Sequence, residues 1–318
     1  MHITDKLCNK KWGVFNHYLY GYTAKPEGIT WNEAIEKFDV KKISDQLREV
    51  GAGYYFITLC QGGRYLLSPN NTYNRITGSK PGDVCTDRDI VLELYDELSK
   101  YGIDLYLYFP SDGPHTDSEH GKKMGFYYET DDVYKIVNGL YCHREPHENK
   151  VLLEKRLNQR FVNNWSSVLK EYADRYKTKI CGWWFDGFYD FFGFKPEWIK
   201  PFCDAVKDAN QNAVVAFNNG VKKHLYKWYE YEDYTSGELN ELELIPNGRF
   251  TDGIQSHILA PLGKTWGMKD ARYDNEYMKS YIKSVNDNGA VVTVDVGVSS
   301  DGSWSREQLE ALKNCGQS

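Results

Sequence analysis

Apolar positions along the chain fall into two alternating patterns. Short β-branched or aromatic runs take turns with longer stretches whose apolar residues recur at helical spacing and tend to stop at a glycine. The first run is Trp12-Gly-Val-Phe-Asn16. From about Asp39, a side chain suited to an N-cap, Val40, Ile43, Leu47 and Val50 share one helix face, and Gly51 is the stop. Tyr54 to Leu59 forms the second run. The next helix opens near Thr86 or Asp87, buries Val91, Leu94 and Leu98, and ends at Gly102 before a third run from Asp104 to Phe109.

A long connection carrying His115, His120, His143 and His147 leads into a helix from about Leu153 to Tyr176, with Leu157, Phe161, Trp165, Val168 and Leu169 inward. Ile180 to Phe185 is the fourth run, Pro196 to Ala209 a helix with proline in its first turn, and Ala213 to Phe217 the fifth run. Weaker patterns place a sixth strand near Tyr231 to Ser236 and a seventh near Gly253 to Ile258. A helix around Glu276 to Asn286 stops at Gly289, Ala290 to Val296 is the eighth strand, and Arg306 to Leu312 a closing helix. Eight strands alternating with helices predict an α/β fold, a single (β/α)8 TIM-type barrel over residues 1–318, with room for a small insertion around 111–150.

Composition narrows the partners. Lys and Arg number 39 against 45 Asp and Glu, a net charge of −6 with no long basic run, which argues against nucleic acid or an anionic membrane surface. Apolar stretches such as Tyr54 to Cys60 are too short to span a bilayer. The N-terminal segment has no apolar stretch behind its first positive charge, so a cytoplasmic protein is expected. Seven cysteines, an odd number without a C-x-x-C pair, fit reduced thiols better than a disulfide framework or a zinc site. Aromatic residues reach 15%, enough to fill a core and also to supply rings that stack on sugars.

In such a barrel the chemistry sits at the C-terminal ends of the strands. The polar residues ending the runs are Asn16 and His17, Cys60 and Gln61, Ser111 and Asp112, Asp186, Asn218 and Asn219, Glu238, His257 and Asp295. Asp186 stands out, because in Cys181-Gly-Trp-Trp-Phe-Asp-Gly187 three aromatics precede an acid and a glycine follows. A carboxylate there is costly unless hydrogen-bonded or used, and the glycine lets a substrate approach. Glu238 lies among Glu230, Glu232, Glu241 and Glu243, where most glutamates are solvated. His143-Arg-Glu-Pro-His147 has a metal-like spacing, but Pro146 argues against the helix that would align the imidazoles. No Gly-x-Ser-x-Gly elbow is present.

Several of these segments, in the right order, resemble the α-L-fucosidase family of glycoside hydrolases. Trp184-Phe-Asp-Gly187 is similar to that family's W-F-D-G motif, Trp12-Gly-Val-Phe-Asn-His17 to its first strand, and Asp233-Tyr-Thr-Ser-Gly-Glu238 to its D-Y-x-T-P-E segment. Lys264-Thr-Trp-Gly267 resembles its D-S-W-G, and Asn288 to Gly297 its last strand. The resemblance implies a carbohydrate substrate, no cofactor, Asp186 as nucleophile and Glu238 as acid/base, with Glu241 and Glu243 as alternatives for the latter. The expected substrate contacts are Asn16, His17, Gln61, Trp184, Asn218, His257 and Trp266. Two features depart from the family: Leu59-Cys-Gln-Gly-Gly63 replaces two adjacent histidines, and Asn218-Asn-Gly220 replaces Asn-x-Arg. Both lost groups help hold fucose in that family, so weak cleavage of a simple fucoside is expected. The competing readings are a catalytically silent carbohydrate-binding barrel and a glycosidase for another sugar.

Overall fold

A computed structural model describes residues 2–21, 29–126, 157–189 and 194–317. The strands are β1 (Trp12–Asn16), β2 (Tyr54–Thr58), β3 (Asp104–Pro110), β4 (Ile180–Asp186), β5 (Val214–Phe217), β6 (Phe250–Thr251), β7 (Ile254–Gln255), β8 (His257–Pro261) and β9 (Val291–Asp295). Seven of them form one curled parallel sheet in the order β5-β4-β3-β2-β1-β9-β8, while β6 and β7 pair as a separate antiparallel hairpin. Parallel strands are covered on both faces, which explains why their sequences read as nearly unbroken apolar runs.

Side chains alternate across this sheet. Val14, Tyr55, Leu107, Phe185 and Val292 pack outward against the helices. Phe15, Tyr54, Phe56, Tyr106, Tyr108 and Trp184 point the other way, into a second cluster that Leu7 joins from the helix Asp5–Lys10. Among the described residues seven buried aromatics fill the space enclosed by the sheet, and a larger number pack in the outer cluster.

Most predicted helices match closely. Asp39 caps Val40–Val50 by accepting from the amides of Lys41 and Lys42, and Gly51 ends it at φ 77°. The helix expected near Thr86 begins at Ile90 with Asp89 as its cap. The long helix spans Gln159–Tyr176, with Asn158 capping it. Short helices Trp31–Ile35, Asn71–Thr77 and Ser118–Met124 were not predicted, being too short to show a helical period. The last of these lies in the stretch reserved for an insertion; the remainder of that stretch from residue 127, with His143 and His147, lies outside the described residues.

The predicted sixth and seventh strands need correction. The segment from Asp233 to Leu239 forms only isolated bridges, Tyr234 with Gln255 and Glu238 with Leu259. It nevertheless touches both edges of the sheet: the Asp233 N–H donates to the Val215 carbonyl at 2.9 Å, and the Leu259 N–H donates to the Gly237 carbonyl at 2.8 Å. Two local features prevent a regular strand. The Asp233 carboxylate, instead of a backbone carbonyl, accepts from the Val215 N–H at 2.9 Å, and Gly237 adopts φ +62°. A Cβ at Gly237 would fall 1.9 Å from the His257 carbonyl oxygen, so no other residue fits there unchanged. At the start of the predicted seventh strand the chain turns at Asp252 (φ 48°) and Gly253 (φ 84°), and β8 starts only at His257 and continues to Pro261.

Among the described residues no helix is long and apolar enough to cross a membrane. Cys8, Cys60, Cys85, Cys181, Cys203 and Cys315 are all free thiols; Cys142 lies outside the described residues.

Candidate active site

Strand parity places the first acid. Trp184 belongs to the inner cluster, so Asp186, two residues on, faces the same way at the C-terminal end of β4. There it lines a cavity of about 470 Å³ together with Phe15, His17, Gln61, Tyr108, Trp184, Tyr189, Glu238, Leu259 and Trp266. Gly187 follows at φ +81°, and a Cβ on it would sit 3.0 Å from the Ser111 hydroxyl oxygen. The residue after the acid is glycine for backbone reasons as well as for access.

Asp186 is hydrogen-bonded on both oxygens. Its Oδ2 accepts from the Tyr108 hydroxyl at 2.6 Å, and its Oδ1 accepts from the Tyr189 hydroxyl at 3.1 Å and from Asn218 Nδ2 at 2.8 Å. The same Asn218 nitrogen donates to Glu238 Oε2 at 2.6 Å. One amide just after β5 thus bridges two carboxyl groups, one from the end of β4 and one from the segment that touches both edges of the sheet.

The two acids have different surroundings. Burial and, less strongly, the Asp112 charge hold the Asp186 carboxyl above its ordinary value, and the donors Tyr108, Asn218 and the Gly187 N–H offset only part of that rise. Glu238 is also raised, first by burial and then by the negative charge of Asp186, with Asn218 as its hydrogen-bonding counterweight. Among neighbouring glutamates, Glu232 is buried and clamps backbone, accepting from the amides of Phe217, Trp228 and Tyr229 at 3.1, 2.6 and 2.9 Å. Burial raises its carboxyl to about 7. Glu241 pairs with Arg272 at 2.6 Å and lines a different cavity along with Glu243. Of the three glutamates considered for an acid/base role, Glu238 is the one on the wall shared with Asp186.

Opposite them, Asp295 at the end of β9 orients His17 through a 2.8 Å contact to Nδ1 and accepts from the Gly267 N–H at 2.6 Å, fixing the turn that carries Trp266. The Trp266 ring meets His17 edge-on, with centroids 5.9 Å apart, and Trp184 stacks on Tyr108 at 5.6 Å.

The alpha-L-fucosidase family model matches residues 5–317. The chain belongs to the alpha-L-fucosidase family. Membership makes it a glycosidase, and its fold is shared with solved glycoside hydrolases. It is similar to the endo-fucoidan hydrolase P5AFcnA from glycoside hydrolase family 107, with a TM-score of 0.68 and 16% identity, covering 100% of this chain and 93% of that one. An alpha-L-fucosidase GH29 from Bacteroides thetaiotaomicron gives 0.65 and 17%, covering 99% and 72%. The alpha-L-fucosidase AlfC from Lactobacillus casei, in complex with alpha-L-fucose product, gives 0.64 and 16%, covering 99% and 97%. Of the longer endo-fucoidan hydrolase MfFcnA4 the chain spans 53%. No curated protein matches the sequence.

Of the residues expected to contact substrate in this fucosidase-family chain, His17, Gln61, Trp184 and Trp266 line the cavity. Asn218 stands behind it, holding both acids. Asn16 and His257 are elsewhere. Asn16 is fully buried; its amide donates to the Val296 carbonyl at 2.6 Å, and its oxygen accepts from Tyr55 and Trp304 at 2.9 and 3.1 Å. His257 opens β8 instead of ending it, and its two ring nitrogens contact the Thr235 carbonyl and the Thr293 hydroxyl. Sequence reasoning missed Tyr108 and Tyr189. Tyr108 carried a usable signal, since it sits on the inward parity of β3 beside the end of β4. Among the described residues no three His, Cys, Asp or Glu side chains gather to hold a metal ion.

Proposed function

We propose that the chain is a single (β/α)8 barrel acting as an exo-glycosidase of α-L-fucosidase type, with retention of anomeric configuration. In this reading Asp186 attacks the anomeric carbon while Glu238 gives its proton to the departing oxygen, leaving a glycosyl ester on Asp186. The Glu238 carboxylate then takes a proton from water, whose oxygen attacks the anomeric carbon and frees Asp186. His17, Gln61, Trp184 and Trp266 would contact the sugar.

The supporting observation is the shared Asn218 amide. Bonds of 2.8 and 2.6 Å from one nitrogen keep one oxygen of each carboxyl group near the other, which favours the closer spacing of a retaining pair, roughly 5–5.5 Å, over the roughly 6.5–9.5 Å of an inverting one. Hydrogen bonding supports the division of roles: Asp186 accepts from three side-chain donors and carries the negative charge, whereas Glu238, held by one, keeps the proton.

The test is a panel of aryl glycosides including α-L-fucoside and α-D- and β-D-galactosides. With no histidine pair after β2 and no arginine after β5, turnover of the fucoside is expected well below the roughly 10 s⁻¹ of a typical enzyme, with the first product retained by NMR. An inverted first product rules out the mechanism. Silence on every aryl and natural glycoside leaves the binding-barrel reading.

A second expectation concerns Tyr108. Tyr108→Phe removes the 2.6 Å donor to Asp186, so the acid should titrate higher and kcat/KM should fall roughly 10- to 100-fold, the range for a hydrogen bond to a charged group. The acid limb of the pH profile should shift to higher pH. An unmoved limb would show that Tyr108 does not tune Asp186.

A further inference from the structure

The wall of the cavity does not end at Glu238. Glu238 also borders a narrow cleft with Gly220, Lys222, His224 and Ser236, and Lys222 in turn lines a second cavity of about 420 Å³ with Lys223, Leu239, Asn240, Glu241 and Glu243. The two large cavities flank this cleft: Glu238 lines the first cavity and the cleft, and Lys222 lines the cleft and the second cavity. Both cavities fall in the roughly 300–1,000 Å³ range of small-molecule sites. The Lys222 N–H donates to the Glu238 carbonyl at 3.2 Å, which fixes the lysine-bearing turn to the acid.

The charges in the second cavity are not balanced internally. Glu241 is already neutralised by Arg272 at 2.6 Å and accepts from the Tyr273 hydroxyl at 2.8 Å. Among the described residues neither Lys222 nor Lys223 makes an ion pair; the Lys222 charge acts on the Glu238 carboxyl, opposing the upward push of burial, and Glu243 lines the second cavity with both lysines. Leu239 and Leu244 supply apolar wall between the charges. A proton donor meets the leaving-group oxygen, so whatever leaves the sugar lies on the Glu238 side of the first cavity.

Resting on the assignment of Glu238 as acid/base, we infer that this second cavity is the leaving-group subsite and that Lys222 and Lys223 select an acceptor bearing a negative group, carboxylate or sulfate. Electrostatic recognition of this kind acts through capture of the substrate, so it appears in kcat/KM and weakens with salt.

The test uses whichever glycone the aryl panel shows to be cleaved, carried on aryl leaving groups of matched acidity that are neutral, carboxylated or sulfonated. The anionic-to-neutral ratio of kcat/KM should be roughly 2 to 30, the range two exposed ion pairs supply. The ratio should fall towards one in the K222Q/K223Q double variant and in high salt. The carboxylated and sulfonated arms tell the two anion chemistries apart. A ratio at or below one in the wild-type protein, or one unchanged in the double variant, overturns the inference while leaving the catalytic assignment standing. If no glycone is cleaved, calorimetric titration with lactose, 3′-sialyllactose and 3′-sulfolactose decides it. Anion-dependent binding lost in the folded double variant supports the subsite, and equal or absent binding of all three overturns it.

Discussion

Asp186→Ala is expected to lower turnover by on the order of 10⁴-fold or more, because it removes the atom that forms the glycosyl ester. The Asn218 and Tyr108 donors remain, so the protein should fold and still bind sugar. Azide should enter from the face the carboxylate vacated and yield a glycosyl azide of inverted configuration. Isolation of a retained azide from this variant, or activity within tenfold of wild type, would move the nucleophile elsewhere.

Glu238→Ala should divide substrates by leaving group. Those with acidic phenols need little proton assistance and should still glycosylate Asp186, whereas natural linkages should slow by roughly 10²- to 10⁴-fold, the usual contribution of general acid catalysis. Azide should accelerate the second step and give a retained product. The pH dependence follows from burial and the charge of Asp186, which raise the Glu238 carboxyl. In the wild-type enzyme kcat/KM should decline on the alkaline side as the donor loses its proton, and that limb should vanish in the variant on activated substrates. Full activity of Glu238→Ala on a natural glycoside would transfer the role to another residue. Glu241 is a weak successor, being tied to Arg272 outside the first cavity.

Asp186 was legible because an apolar run broken by an acid is conspicuous, and because parity with Trp184 carries it to the inner face. Glu238 was legible mainly through its resemblance to a known segment; its backbone forms an isolated bridge, which has no periodic pattern to read. Tyr108 was overlooked because only strand ends were considered, while the cavity reaches one layer deeper. Asn16 looked exposed to the mouth as the last residue of β1. It follows the inward Phe15, however, and so points outward to Tyr55 and Trp304. His257 was placed at the wrong end of its strand, since the turn at Asp252 and Gly253 shifts β8 towards Pro261, and Leu259 takes the wall position. Turn conformations of this kind depend on backbone angles that the hydrophobic pattern does not encode.

The pairing of β1 with β9 also has a bearing on how the enzyme matures. Phe15 is in register with Asp295, and His17 meets its carboxylate partner across 278 residues of chain. A nascent polypeptide that has already made β1 to β5 has Asp186 but neither Asp295 nor the turn that carries Trp266. Closing so large a loop is slow and comes late, since its entropy must be spent before the contact stabilises anything. The Asp295–His17 contact and the turn that carries Trp266 are therefore expected only after synthesis has passed β9, so a chain truncated before β9 should lack that wall of the cavity.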